Sequence, residues 1–334
     1  MSGLLLAADE FAREIQVVME ERRLRTDDQP RSLLYEAFMA SAYVAHPYRT
    51  PVIGWMQDLR NMRVEDARDW YRAWYAPNNA TLVVVGDLEA TEVFAEAQKW
   101  FGPMASRPLP ERKQQEEPPQ RGTRRIEVSA PAELPYLLLG WHVPVLRNEG
   151  GDDDAYALWV LAAVLDGSDA ARLPRDLVRG ERLAVSANAS YDPVNRGPGL
   201  FLLSATPSAG RGVRALEEAL RRQVERIARE GITPEELERT KLQAVAARVF
   251  QRDSFYAQAM DIGVLTNAGL PGDFTDEQVR RLQGVTAEQV QAVAFKYFSD
   301  DNLTVAAVRP LPLAPGAAPR GIPQGPGAPG SDVQ

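Results

Sequence analysis

The chain has 334 residues, 45% of them hydrophobic, and a formal net charge of −8. This length is enough for two domains, and an acidic balance without a basic run argues against nucleic-acid binding. The sequence has no cysteine and two histidines, so this chain cannot supply a disulfide, a thiolate metal site or a site of several imidazoles. It also contains no apolar run of the ~18 residues that a membrane span needs, and its first residues do not read as a secretion signal.

The first predicted helix covers residues 8–25 and is rich in Glu, Arg and Met. Its apolar side chains recur at i, i+4 and i+7 and share one face: Phe11, Ile15 and Val18. Three carboxylates fall beside that face within roughly 40° of arc, if each residue advances about 100°: Glu10, Glu14 and Glu21. The stripe is either a solvated acidic face or a set of candidate metal ligands.

Glu14 and Glu21 are the two carboxylates whose spacing limits the second alternative. Their separation along the helix is roughly 10 Å at about 1.5 Å per residue. Because a zinc–oxygen bond is only ~2 Å long, one ion cannot bind both side chains. The pattern therefore allows one ligand and at most one supporting acid.

Helices alternate with short β-branched strands in the rest of the chain. The predicted helices are residues 32–43, 64–75, 91–101, 155–165, 171–179, 211–230, 234–251, 254–267, 275–283 and 287–298. The predicted strands are residues 81–85, 125–129, 136–143, 183–191, 199–205 and 303–308. His46, in a loop between prolines, is interpreted as a structural hydrogen-bonding residue rather than a ligand. The acidic run 152–154 is expected to cap the helix that follows it.

An internal repeat organises these elements. Residues 59–85 match residues 282–308 without a gap, and both stretches read as a helix, an Asn turn and a strand. Residues 9–13 match residues 235–239 at an offset of 226. Glu21 aligns with Ala247 at the offset of 226, or with Ala244 at the offset of 223. One repeat therefore has a carboxylate where the other has a methyl group, a difference that a merely solvated face does not predict.

The repeat predicts an α+β fold of two tandem units, each an antiparallel sheet packed with helices. The second unit opens with strands that have no counterpart before residue 8, so the first unit is expected to be N-terminally incomplete. We assign residues 1–102 to the first unit, 103–123 to a Pro-rich linker, and 124–310 to the second unit. Residues 311–334, rich in Pro and Gly, are predicted to be a disordered tail.

With these features the sequence resembles the pitrilysin/insulinase-type zinc peptidases, the inverzincins. The resemblance covers residues 5–310 and is carried by the stretch EIQVVMEE at residues 14–21, together with residues 46–48, 51–54 and 75–79. It implies that the first unit is of the catalytic type and the second is not. By this match Glu21 is the third zinc ligand, Glu14 a supporting acid and Glu20 the register alternative. The implied reaction is peptide-bond hydrolysis, in which a zinc-bound water attacks and a Glu takes its proton.

Two departures from the family pattern limit this expectation. His-x-x-Glu-His does not occur in the chain, and because zinc needs three protein ligands, the chain is not expected to retain zinc alone. The family's second half also offers an Arg and a Tyr to the substrate from a segment that resembles residues 177–185. Val185 stands at the Tyr position and Arg179 is one place off, so Arg179 and Arg182 are candidates for substrate binding whose alternative is an exposed helix end.

Two functional hypotheses follow. The first is the C-terminal portion of a zinc metalloendopeptidase, from a truncated or internally started reading frame, that is inactive alone and acts on peptides only when complete. The second is a non-catalytic partner or scaffold subunit that pairs with a catalytic chain or with a second copy of itself. The compartment stays open, and a periplasmic or exported location is an expectation for a full-length protein whose signal would precede Met1.

Overall fold

Five strands form one mixed sheet in the computed structural model, which describes residues 3–148 and 153–313. The strands are β1 (Arg124–Pro131), β2 (Tyr136–Val143), β3 (Ala184–Tyr191), β4 (Gly199–Pro207) and β5 (Leu303–Leu311). Their order across the sheet is β1-β5-β2-β4-β3. The β1–β5 pair is parallel and the other pairs are antiparallel. The predicted α+β class is confirmed. The prediction gave each of the two units an antiparallel sheet, whereas the described residues contain one mixed sheet, whose strands all lie within residues 124–311.

The α-helices of the described residues agree closely with the predicted ones. They are α1 (Ala8–Arg22), α2 (Pro30–Ala42), α3 (Met56–Asn61), α4 (Val64–Trp74), α5 (Ala90–Phe101), α6 (Asp153–Asp166), α7 (Val213–Glu230), α8 (Pro234–Gln251), α9 (Phe255–Ala268), α10 (Thr275–Gly284) and α11 (Ala287–Tyr297). Two π-helical segments, Arg23–Asp27 and Leu173–Gly180, accompany them. The second replaces the predicted helix 171–179, and α3 was not predicted. In the described ranges no helix combines the length and hydropathy needed to cross a bilayer.

Alternating side chains give the sheet two apolar faces. On β2 and β4, one face carries Leu137, Leu139, Trp141, Phe201, Leu203 and Ala205. This face packs into one large core with side chains of α6, α7 and α11, such as Leu158, Leu220 and Val290. Helix α6 is buried on most sides, which explains why its sequence is almost uniformly apolar.

The opposite face of the sheet is covered by α2, a helix of the first repeat. Leu34, Phe38 and Ala42 recur at i and i+4, are fully buried, and pack with Ala306 and Val308 of β5. The first and second predicted units are therefore in direct contact through this helix. The apolar face of α2 is thus buried against strands that lie far away in the sequence.

Residues 81–85 do not form the strand that their β-branched composition predicts. They carry no regular secondary structure and belong to no sheet of the described residues. Leu82 and Val84 are exposed. A strand requires a neighbour that accepts and donates its backbone hydrogen bonds, and no described strand pairs with this stretch. The strand prediction is therefore wrong for this structure.

The predicted linker, residues 103–123, has neither helix nor strand but is held to both repeats. The Glu117 carboxylate accepts backbone N–H groups of Val44, Ala45 and His46 at 2.7, 2.9 and 2.8 Å. Burial acts to raise the pKa of Glu117, but these hydrogen bonds outweigh it and the pKa is lowered. On the other side, Gln120 donates to the Leu303 carbonyl at 2.7 Å.

Two predictions fall partly outside the described residues. The predicted tail begins inside β5, which continues to Leu311, and residues 314–334 lie beyond the described ranges. Asp152 of the acidic run also lies outside them. Asp153 and Asp154 open α6 as expected, and the Asp154 carboxylate accepts hydrogen bonds from Lys296 and Tyr297 at 2.6 and 2.5 Å.

Candidate metal-ligand helix

Glu21 lies in the last turn of α1, immediately before the π-helical turn Arg23–Asp27. Its side chain is 40% exposed, and its carboxylate is 2.9 Å from Nη1 of Arg25, a side chain that is 77% exposed. Exposed ion pairs of this kind stabilise a protein by about 0–1 kcal/mol. A cation can therefore compete with Arg25 for the Glu21 carboxylate at little cost.

The other carboxylates of the helix are more exposed than Glu21. Glu10 and Glu14 lie on the preceding turns and are open to solvent. Glu20, the register alternative, is exposed and pairs with Arg23 at 2.7 Å. Of the four, Glu21 is the one of intermediate exposure.

Buried contacts fix the helix end that carries Glu21. Met19 and Arg22 are the buried residues of α1. The Arg22 guanidinium donates to both carboxylate oxygens of Glu36 on α2, at 2.8 and 2.9 Å, and to the Gly54 carbonyl at 2.8 Å. Arg22 was not singled out from the sequence, although the offset of 226 that pairs Glu21 with Ala247 also pairs Arg22 with Arg248.

The two histidines serve the junction between the repeats. His46 Nδ1 accepts the backbone N–H of Tyr48 at 3.2 Å, so its interpretation as a structural hydrogen-bonding residue is confirmed. His142 Nε2 bonds the Ala42 carbonyl at 2.8 Å, and its ring centroid lies 5.0 Å from that of Tyr43. Burial lowers the pKa of both imidazoles. The packing at this junction therefore favours the neutral form of both rings.

The described residues offer a zinc ion one candidate oxygen ligand, Glu21. Glu21 supplies an accessible carboxylate on a fixed helix end. Nowhere in residues 3–148 and 153–313 do three or more His, Asp or Glu side chains come together as a metal site. The described part of the chain thus offers one candidate ligand and does not complete a zinc centre.

Arg179 and Arg182 lie at the end of the π-helical segment Leu173–Gly180. Arg179 is exposed and donates from Nη2 to the Asp169 carbonyl. Arg182 is exposed and has a φ of 51°, in the left-handed region that non-glycine residues seldom adopt. The structure places both guanidinium groups on the surface just before β3.

The chain matches known proteins over most of its length. The family described as Peptidase M16 inactive domain matches residues 61–244, more than half of the chain. The zinc protease PqqE of Helicobacter pylori is 31% identical over 327 residues, which cover 93% of this chain and 69% of that protein. The uncharacterized zinc protease YmxG of Bacillus subtilis is 25% identical over 295 residues, 88% of this chain and 69% of that protein.

A solved structure of a protease from Helicobacter pylori has the same fold. It superimposes with a TM-score of 0.86 at 29% sequence identity and covers 93% of this chain and 74% of that one.

Proposed function

Because the chain belongs to the pitrilysin-type M16 peptidase family, we propose that it is the part of a zinc-dependent metalloendopeptidase that contributes one zinc ligand and the non-catalytic half. The observation that carries this proposal is the Glu21 carboxylate, held partly exposed at a fixed helix end. The names of its relatives as zinc proteases support the same chemistry.

The division of the chain supports this assignment. We propose that residues 1–102 are the C-terminal part of the catalytic-type unit and that residues 103–123 link it to the inactive-type unit, 124–310. The second unit has its own sheet and helix layer, and its counterpart of Glu21 is Ala247. A unit that keeps the scaffold and lacks the carboxylate is suited to a supporting role.

Each candidate residue has a distinct proposed part in the reaction. Zinc, when bound in the complete site, would supply a Lewis acid that can polarise a peptide carbonyl and lower the pKa of a water to about 7. Glu21 would give that ion one negatively charged oxygen once Arg25 turns away, and Glu14 would add negative charge on the same face of α1. Arg179 and Arg182 would attract the carbonyl or carboxylate groups of a peptide as exposed cations.

We propose that the chain alone has neither peptidase activity nor tightly bound zinc, because it lacks His-x-x-Glu-His. The test compares the chain with a version extended upstream through a His-x-x-Glu-His segment, by metal analysis and by cleavage of a fluorogenic peptide. The extended protein should bind one zinc ion and cleave the peptide, and the chain should do neither. Micromolar zinc binding together with turnover by the chain alone contradicts the proposal.

Substitutions in the extended protein identify the ligand. Glu21→Gln should lose zinc, because a neutral amide is a poor zinc ligand. Glu20→Gln removes the neighbouring carboxylate from the same helix and should retain zinc. Loss of zinc in Glu20→Gln but not in Glu21→Gln would identify Glu20, the register alternative, as the ligand.

A second candidate function is a non-catalytic partner subunit. It is favoured by large apolar side chains that stay exposed in residues 82–101 and that another chain could cover: Leu82, Val84, Leu88, Phe94 and Trp100. A defined heterodimer with a separate catalytic chain, observed by mass measurement together with a cooperative thermal transition, would support it. A stable homodimer is the variant of this function in which a second copy covers the surface.

A further inference from the structure

The residue next to Glu21 is the most heavily bonded group of this helix end. The Arg22 side chain is 5% exposed and contacts three separate segments of the first repeat. It makes a two-bond contact with Glu36 of α2, lies 3.4 Å from Asp27, and lies over the ring of Trp55 at 6.0 Å. Nε of Arg22 is buried without a hydrogen-bond partner, so the planar group is aligned by its two terminal nitrogens.

Arg22 connects the last turn of α1 to α2 and, through α2, to the sheet. Glu36 lies on α2, whose opposite face is buried against β5 through Leu34 and Phe38. A continuous set of contacts therefore runs from the sheet through α2 and Glu36 to the last turn of α1. The π-helical turn Arg23–Asp27 begins directly after Arg22, so the Arg22–Glu36 contact lies at the boundary between the two helix types.

The second repeat contains an equivalent arginine contact between two helices but lacks the neighbouring carboxylate. Arg248 occupies the position equivalent to Arg22 on α8 and pairs with Asp261 of α9 at 2.9 Å. It also lies over an indole ring, that of Trp159, at 5.3 Å. The residue before it is Ala247 where the first repeat has Glu21. One arginine thus joins two successive helices in each repeat, and only the first has a carboxylate beside it.

We propose that Arg22 is a positioning residue that aims the Glu21 carboxylate at the metal. The inference rests on the proposed function. A guanidinium fork that binds a carboxylate through two parallel hydrogen bonds fixes both the distance and the rotation of α1 against α2. Lysine keeps the charge but cannot form the fork, so Arg22→Lys should loosen the orientation of the last turn while leaving the helices packed. Groups that orient a metal ligand typically change metal affinity about 10- to 100-fold when they are altered.

The test uses the upstream-extended protein and measures zinc affinity by competition with a chromogenic chelator, together with Tm. Arg22→Lys should raise the Kd for zinc about 10- to 100-fold. The matched control is Arg248→Lys, which removes the equivalent contact in the second repeat and should lower Tm comparably but change the Kd less than about twofold. Glu36→Gln weakens the same contact from its other side and should raise the Kd in the same direction.

A measurement without zinc separates orientation from general destabilisation. In the chain as it stands, Arg22→Lys should speed amide hydrogen exchange in residues 19–25 and leave residues 245–251 unchanged, whereas Arg248→Lys should do the reverse. Equal effects of the two substitutions on zinc affinity, or no effect of Arg22→Lys on it, overturn the positioning role. If Glu21→Gln leaves zinc binding by the extended protein unchanged, the proposed function is overturned, and the positioning role with it.

Discussion

Asp176 illustrates, at the scale of single residues, how charge holds an irregular helix in place. It lies in the π-helical segment Leu173–Gly180 and accepts hydrogen bonds from Arg175 at 2.6 Å and from Arg226 of α7 at 2.7 Å. Burial acts to raise its pKa, but the two guanidinium groups outweigh this effect and lower the pKa to about 2. The ionised carboxylate therefore binds this segment to α7.

This pKa predicts a specific pH dependence of stability. A carboxyl group whose pKa is depressed by folding stabilises the native state above its unfolded pKa of about 3.9, and the contribution is lost as pH falls towards about 2. Asp176→Asn should lower the free energy of unfolding by about 1–3 kcal/mol at pH 7, because it removes charged hydrogen bonds. In urea titrations between pH 2 and 6, the difference from wild type should shrink only below about pH 4.

The control for Asp176 is Asp9→Asn, in an exposed pair 3.6 Å from Arg13. Such a pair contributes about 0–1 kcal/mol, so this substitution should change the free energy of unfolding little. A difference between wild type and Asp176→Asn that stays constant down to pH 2 would contradict the proposed role of the two arginines.

At the scale of elements, the contact between α2 and the sheet depends on one glycine. Gly140 lies in β2, opposite Leu202 of β4 and Thr304 of β5. A Cβ atom at this position would lie 2.4 Å from Cζ of Phe38 and 2.9 Å from Cδ2 of Leu202. The ring of Phe38 therefore fills the space that a side chain at residue 140 would take, and α2 approaches the sheet closely.

Gly140→Ala should lower the free energy of unfolding by about 1–3 kcal/mol, because either the ring or the helix must shift. The matched control is Gly263→Ala in the middle of α9, where an added Cβ meets no atom within 4 Å. That substitution should stabilise the protein by up to about 1 kcal/mol through helix propensity. Urea unfolding of both variants checks the pair, and a neutral Gly140→Ala would show that α2 does not pack as described.

At the scale of the whole molecule, the two repeats differ in how well their apolar surface is covered. The second repeat packs its sheet between a helix layer and α2. In the first repeat, Phe94 is 74% exposed and Trp100 is 64% exposed, although both lie on an amphipathic helix, α5. Exposed patches of this kind are typical of interaction surfaces. We therefore expect this region to bind another polypeptide surface.

The isolated chain should bind a hydrophobic dye and self-associate as its concentration rises. Phe94→Ser combined with Trp100→Ser should reduce both effects without lowering Tm, since neither side chain contributes to a buried core. The control is Phe295→Ser, which removes an exposed aromatic ring from α11 of the second repeat and should leave association unchanged. Dye fluorescence and light scattering provide the two measurements. Equal effects of control and test variants would place the association surface elsewhere.

Local patterns were enough to predict most of the helices and the helix that carries the candidate ligand. An α-helix closes its hydrogen bonds within four residues, so the apolar periodicity of residues 8–25 and the repeat with residues 235–239 could be read directly from the chain. The same reasoning placed Glu21 on a helix face and aligned it with Ala247 or Ala244 of the second repeat. The α+β class followed from alternating helical and β-branched stretches.

Pairing between distant segments was decided only by the tertiary structure. The insertion of β5 between β1 and β2, the covering of the sheet by α2, and the bond between Arg22 and Glu36 all join residues that no local pattern connects. Residues 81–85 show the converse, since β-branched composition without a neighbouring strand did not produce a strand. The sequence shows which side chains are apolar or charged and therefore need burial or an ion-pair partner. Which residues become those partners is determined only in the folded chain, because it depends on the packing of all elements together.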